Sequence, residues 1–138
     1  MRRKLILAIF AITFSLFVAK AYAASISIYQ PGADSGTVMK GKPFTVTVSG
    51  LSGTGTVTLI LPTGFSTTED LTKSFGSGTS SVSWTSIIAN QKLSAQTISA
   101  TISTTGSPST VTSDSFDVIL PPSLSAIVSP SSVSVQQG

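Results

Sequence analysis

Apolar and polar residues alternate one by one along most of this chain, in seven separate runs. Ile26 and Ile28 alternate with Ser25 and Ser27, Phe44, Val46 and Val48 with Thr45 and Thr47, and Val57, Leu59 and Leu61 with Thr56 and Thr58. Further on, Val82 and Trp84 alternate with Ser81, Ser83 and Thr85, and Ile98, Ala100 and Ile102 with Thr97, Ser99 and Thr101. Phe116, Val118 and Leu120 close the set, and a weaker run covers residues 71–75. A period of two sends successive side chains to opposite faces of a strand, so each run predicts a strand with one greasy face. Turn formers separate the runs: Pro31-Gly32, Ser49-Gly50, Ser52-Gly53, Pro62-Thr63-Gly64, Gly76-Ser77-Gly78 and Gly106-Ser107-Pro108. One-sided strands bury their apolar faces by packing sheet on sheet. The pattern predicts an all-β, antiparallel two-sheet sandwich of about seven strands over residues 24–120.

The front of the chain reads differently. Arg2, Arg3 and Lys4 precede a nearly unbroken apolar run over residues 5–19, which predicts a helix. Lys20 closes that run, and Ala21-Tyr22-Ala23 supplies the small residues that a signal peptidase needs at −3 and −1. Residues 1–23 are therefore expected to be a secretory signal peptide, cut between Ala23 and Ala24. At 15 residues the run is shorter than the roughly 18–20 of a spanning helix, so no membrane association is expected after cleavage.

Losing the leader changes the charge. The chain carries +3 at neutral pH, but four of its eight basic residues lie in the leader. Lys40, Lys42, Lys73 and Lys92 then face Asp34, Glu69, Asp70, Asp114 and Asp117, a net charge of −1. No clustered basic surface is left for a phosphate backbone, which excludes nucleic acid as the expected partner. There is no Cys, so no disulfide reinforces the exported domain. Ser and Thr make up 43 of residues 24–138, and Thr suits a strand surface because its β-branch fits the pleat while its hydroxyl faces water.

Beyond the seventh run, Leu120-Pro121-Pro122-Ser123 reads as a stiff linker over residues 121–123, since Pro fixes φ and extends its neighbour. Residues 124–138 then echo the start of the exported part. Ile127-Val128-Ser129-Pro130 and the later Gly138 repeat Ile28-Tyr29-Gln30-Pro31 and Gly41 at spacings of 99 and 97 residues. That spacing is one sandwich repeat. By length, strand count and this echo, residues 25–120 resemble a bacterial or archaeal immunoglobulin-like repeat domain of secreted, cell-surface or surface-layer proteins. The resemblance is one of pattern: the Cys pair of antibody domains is missing, and Trp84 falls on a later strand than their buried Trp. It implies a structural or adhesive module, with residues 124–138 starting a second repeat and the chain forming the N-terminal part of a longer protein.

Candidate chemistry is sparse. Without His or Cys, triads built on imidazole or thiolate are excluded, and no Ser is marked as a nucleophile beside one of the four lysines. No catalytic residue and no cofactor is assigned. Glu69 with Asp70, and Asp114 with Asp117, are the acids that would have to meet to hold Ca²⁺, but no loop has the dense ligand spacing of a dedicated site, so no metal is expected. Leu61-Pro62-Thr63-Gly64 and the glycine-rich residues 50–55 read as turns. Trp84, with Val82 as its face-mate, is expected in the core.

The expected function is that of an exported, non-catalytic structural or adhesive module, touching other surface proteins or neighbouring immunoglobulin-like repeats. Two alternatives stay open. One is a pilus-like subunit that polymerises by lending a strand. The other is a carbohydrate-binding module with a glycan partner, for which Trp84, Tyr29 and Phe65 would have to share an exposed face.

Overall fold

The computed structural model describes residues 23–106 and 108–123. The leader and the second-repeat segment, residues 1–22 and 124–138, lie outside the described residues. What is described is all-β, with eleven strands in chain order: β1 (Ser25–Tyr29), β2 (Thr37–Met39), β3 (Pro43–Ser49), β4 (Gly55–Ile60), β5 (Phe65–Ser66), β6 (Thr72–Phe75), β7 (Ser81–Ala89), β8 (Leu93–Gln96), β9 (Ser99–Thr104), β10 (Ser109–Thr112) and β11 (Phe116–Ile119).

The strands form a sandwich-like arrangement of three sheets. One antiparallel sheet has the order β1-β3-β7-β5, and a second has the order β10-β9-β4-β6. The third, β2-β11-β8, prolongs the second along the chain, because two residues separate β8 from β9 and three separate β10 from β11. Most of the alternating residues named above face inward: Phe44, Val46, Val48 and Trp84, joined by Ile87, come from the first sheet, and Val57, Leu59, Ala100 and Ile102 from the second, whereas Leu120 is exposed. Ile98, Phe116, Val118 and Val38 extend the core under the third. Burying these side chains is the main stabilising term for a chain without disulfides.

Two features depart from a seven-stranded antiparallel sandwich. β2, β5, β8 and β10 are additional strands of two to four residues, too short for a period-two pattern to show. The pairing of β2 with β11 is parallel, Thr37 opposite Asp117 and Met39 opposite Ile119. After β1 the chain leaves the first sheet at Gln30, turns through Gly32 and Gly36 at positive φ, and crosses to the opposite layer. It reaches the last strand running in the same direction. The crossing is fixed by Gln30, which is only 5 % exposed. Its Nε2 donates to the carbonyls of Lys42 and Pro43 at 3.0 and 3.1 Å, and its Oε1 accepts from the Met39 N–H. Both N–H donors and the carbonyl oxygen of the amide are thereby engaged, as burial requires.

Ser113 does similar work at the break between β10 and β11. Its Oγ accepts from the Ile98 N–H at 3.0 Å while its own N–H donates to the Ile98 carbonyl at 2.9 Å. The second sheet is drawn tight at Gly55, where an added Cβ would lie 2.2 Å from the Ser103 carbonyl oxygen. Only hydrogen fits there.

Candidate functional site

The densest polar cluster is built on β7. Phe44 pairs with Ile87 and Val46 with Trp84, so Thr85 and Ser86 together oppose Thr45, a β-bulge in the middle of the strand. On its other side β7 is paired only at its end, where Phe65 and Ser66 meet Ala89 and Ile88. From residue 83 to 86 the outer edge has no neighbouring strand among the described residues. An unpaired edge exposes free backbone donors and acceptors, which native sheets cover. Here side chains of the segment crossing from β5 to β6, and of β6 itself, cover it.

Glu69 supplies the acceptor. Its Oε1 takes the N–H of Ser86 at 2.9 Å, the N–H of Thr85, and the Ser86 hydroxyl at 3.0 Å. Lys73 supplies the donor: Nζ bonds the Ser83 carbonyl at 2.7 Å and forms an ion pair with Glu69 Oε2. Trp84 Nε1 donates to the Asp70 carbonyl at 2.8 Å, and Lys73 Nζ lies 5.2 Å from the centre of the indole ring. The Lys73 ammonium beside it holds the Glu69 carboxyl down from an ordinary 4.5 to about 2, with the Thr85 and Ser86 hydrogen bonds acting in the same direction and desolvation opposing them. The cluster is closed on itself: the carboxylate and the ammonium spend their bonds on β7 and on each other. Chemically it is a staple.

The other feature is a groove of about 540 Å³ beside β1. Ile26, Ile28 and Tyr29 form one wall, and Asp34, Asp114 and Phe116 contribute to the rest. Among the described residues β1 pairs with β3 on one side only, and it carries neither charge nor proline along its five residues. Charge and proline, two of the devices that blunt edges, are thus missing from it, while β10 lies alongside.

Set against the sequence expectations, Trp84 is wholly buried. Tyr29 is 66 % exposed at one rim of the first sheet, whereas Phe65 on β5 turns inward into an edge-to-face trio with Phe44 and Phe116, centroids 5.9 to 6.3 Å apart. The three aromatics proposed as a sugar platform therefore do not share an exposed face. The acids are dispersed as well. Asp70 Oδ1 accepts from the Thr72 N–H at 2.9 Å and Asp117 Oδ1 from the Ala95 N–H at 2.8 Å. Among the described residues no three His, Cys, Asp or Glu side chains gather as a metal site. Gly50, Gly53 and Gly64 all have positive φ, in keeping with the turns read at residues 50–55 and 61–64. The Glu69–Lys73 staple and the buried Gln30 were not legible beforehand, because nothing in a strand-period pattern says which edge lacks a neighbour.

No family model matches this chain, and no curated protein matches it. A functional reading rests on the fold and the surfaces alone.

Proposed function

We propose that this chain is an exported, non-catalytic immunoglobulin-like module that serves as a structural or adhesive unit at the cell surface. The observation that carries the reading is the strand order. Counting the long strands, β1, β3 and β7 lie side by side as the first, second and fifth strands of an immunoglobulin sheet do, with the two-residue β5 at the place of the fourth, and β10-β9-β4 corresponds to the opposing sheet, to which β6 is added. The crossing of the first strand to pair with the last fits the same scheme. A Ser/Thr-rich exterior, a core closed without disulfides and a polar cluster spent on edge protection suit a durable spacer. The leader-like residues 1–23 supply the export route.

A second reading is favoured by the open edge of β1 and its groove: a subunit that receives a strand from a neighbour. The uncharged residues 124–138 are the strand it would lend. Light scattering and thermal melts on residues 24–122 and on residues 24–138 separate the two. The spacer reading expects two soluble monomers with the same melting temperature. Chains or swapped dimers formed by the longer form alone, with an unstable shorter form, would overturn it in favour of strand donation.

A further inference from the structure

The structure places the expected leader cut at the rim of the fold, Ala23 exposed and Ala24 half-buried, with the peptide between them lying against β3. Gly50, at the end of β3, has φ +79°, and a Cβ added there would lie 2.9 Å from the Ala23 carbonyl oxygen, 3.0 Å from Ala24 Cα and 3.2 Å from the Ala23 carbonyl carbon. The Ala23–Ala24 peptide group therefore packs directly on the Gly50 backbone. Ala24 is partly buried against the hydrophobic core, and Ser25, the very next residue, is already paired with Ser49. The turn that covers the peptide is itself anchored, since the Leu51 N–H donates to the Ser80 carbonyl at 3.1 Å.

We infer that signal-peptide removal must precede the docking of β1, and that a precursor which folds first is protected from the peptidase. The inference rests on the reading of residues 1–23 as a leader. The reaction is a hydrolysis: the oxygen of water ends on the Ala23 carbonyl carbon, the bond to the Ala24 nitrogen breaks, and Ala24 leaves as a protonated amine. Attack needs an open face on that carbonyl, and peptidases hold the residues flanking the cut as an added strand. In the folded domain Gly50 occupies one side of the carbonyl and β3 already holds the residues after the cut. Access requires peeling β1 from β3, which draws Ile26 and Ile28 out of contact with the core. Cleavage of the folded precursor then proceeds only through the fraction of molecules in which β1 is open.

The test uses the full chain, residues 1–138, and a purified signal peptidase. Precursor diluted from urea directly into the enzyme is compared with precursor refolded first, with tryptophan fluorescence confirming the buried Trp84. The refolded precursor is expected to be cut at least about tenfold more slowly, the reduction being set by how rarely β1 opens. In a second variant, four Gly/Ser residues inserted between Ala24 and Ser25 lift the bond, and the half-buried Ala24 with it, away from Gly50 while leaving the β1–β3 pairing and the fully buried core residues in place. This refolded variant is expected to be cut as fast as the unfolded chain. Equal rates for refolded and unfolded wild type would overturn the inference. So would an inserted variant that stays as slow as wild type, since the protection would then come from something other than the packing at Gly50. A precursor cut in neither state would remove the leader reading itself, and N-terminal sequencing of the exported chain distinguishes that result from the other two.

Discussion

Replacing Trp84 with alanine is expected to lower the free energy of unfolding by about 3–5 kcal/mol, the range for truncating a large buried aromatic to alanine. The ring is fully buried, lies opposite Val46 in the first sheet, and is surrounded by the apolar residues of both layers. Its removal leaves a void that neighbouring β-branched side chains, held at χ1 by the pleat, fill poorly. It also leaves the Asp70 carbonyl without its donor. A Trp84→Phe variant separates these effects: it keeps most of the packing and loses the indole N–H with a smaller void, for an expected cost of about 1–2 kcal/mol. Urea unfolding followed by circular dichroism measures both variants. A loss below about 1 kcal/mol for the alanine variant is the size found at tolerant surface sites, and would contradict a ring that fills the core.

The strands that sequence alone exposes are those whose inward residues repeat at least twice: Ile26 and Ile28, Phe44 through Val48, Val57 and Leu59, Ile98 through Ile102. Each needs a second sheet for its greasy face, so the sandwich follows from the pattern. The short edges did not announce themselves. β10 has one inward-leaning valine among Ser and Thr, and β5 is two residues long. Their pairing is decided by neighbours distant in sequence. The parallel β2–β11 contact depends on where the chain crosses after Gln30, and the burial of that amide is a property of the crossing. A glutamine before Pro31-Gly32 reads as an ordinary turn residue until three backbone groups are found around it.

The same reasoning accounts for the acids. Glu69 and Asp70 stand side by side in sequence and suggest a shared ligand, yet they are used separately. Asp70 lends its backbone carbonyl to Trp84 and its carboxylate to the Thr72 N–H, and Glu69 lends its carboxylate to the bulge on β7. A charged pair in an otherwise uncharged strand surface is informative, but about sheet edges as readily as about ions. Of the features singled out at the start, the core position of Trp84 was readable because a lone large aromatic in a period-two run has only one apolar face to join. The glycan alternative needed Trp84 on the outside, and the buried ring removes the platform it depended on.

Glu69 should therefore reveal itself in acid. Because its folded pKa is depressed from 4.5 to about 2, the folded state resists protonation more than the unfolded chain does. The stability this contributes is complete above pH 4.5 and is lost progressively as the pH falls toward 2. Glu69→Gln keeps the shape and one acceptor but removes the charge facing Lys73. It is expected to cost about 1–2 kcal/mol at neutral pH, the scale of a charge-assisted hydrogen bond at a partly exposed pair. The variant should also lose the acid phase attributed to this residue. The remaining carboxylates are common to both chains, so the difference between their stability curves isolates Glu69: constant above pH 4.5, closing between 4.5 and 2. Lys73→Met should narrow the same difference from the other side, since the ammonium is the largest cause of the depression. Denaturant unfolding at half-unit pH steps reads the window directly. Wild-type and Glu69→Gln curves that run parallel through it would mean that the carboxylate does not hold the exposed edge of β7, and the fastening of the segment between β5 and β6 onto β7 would have to be reassigned to the Thr67 and Thr68 hydroxyls on Ser86.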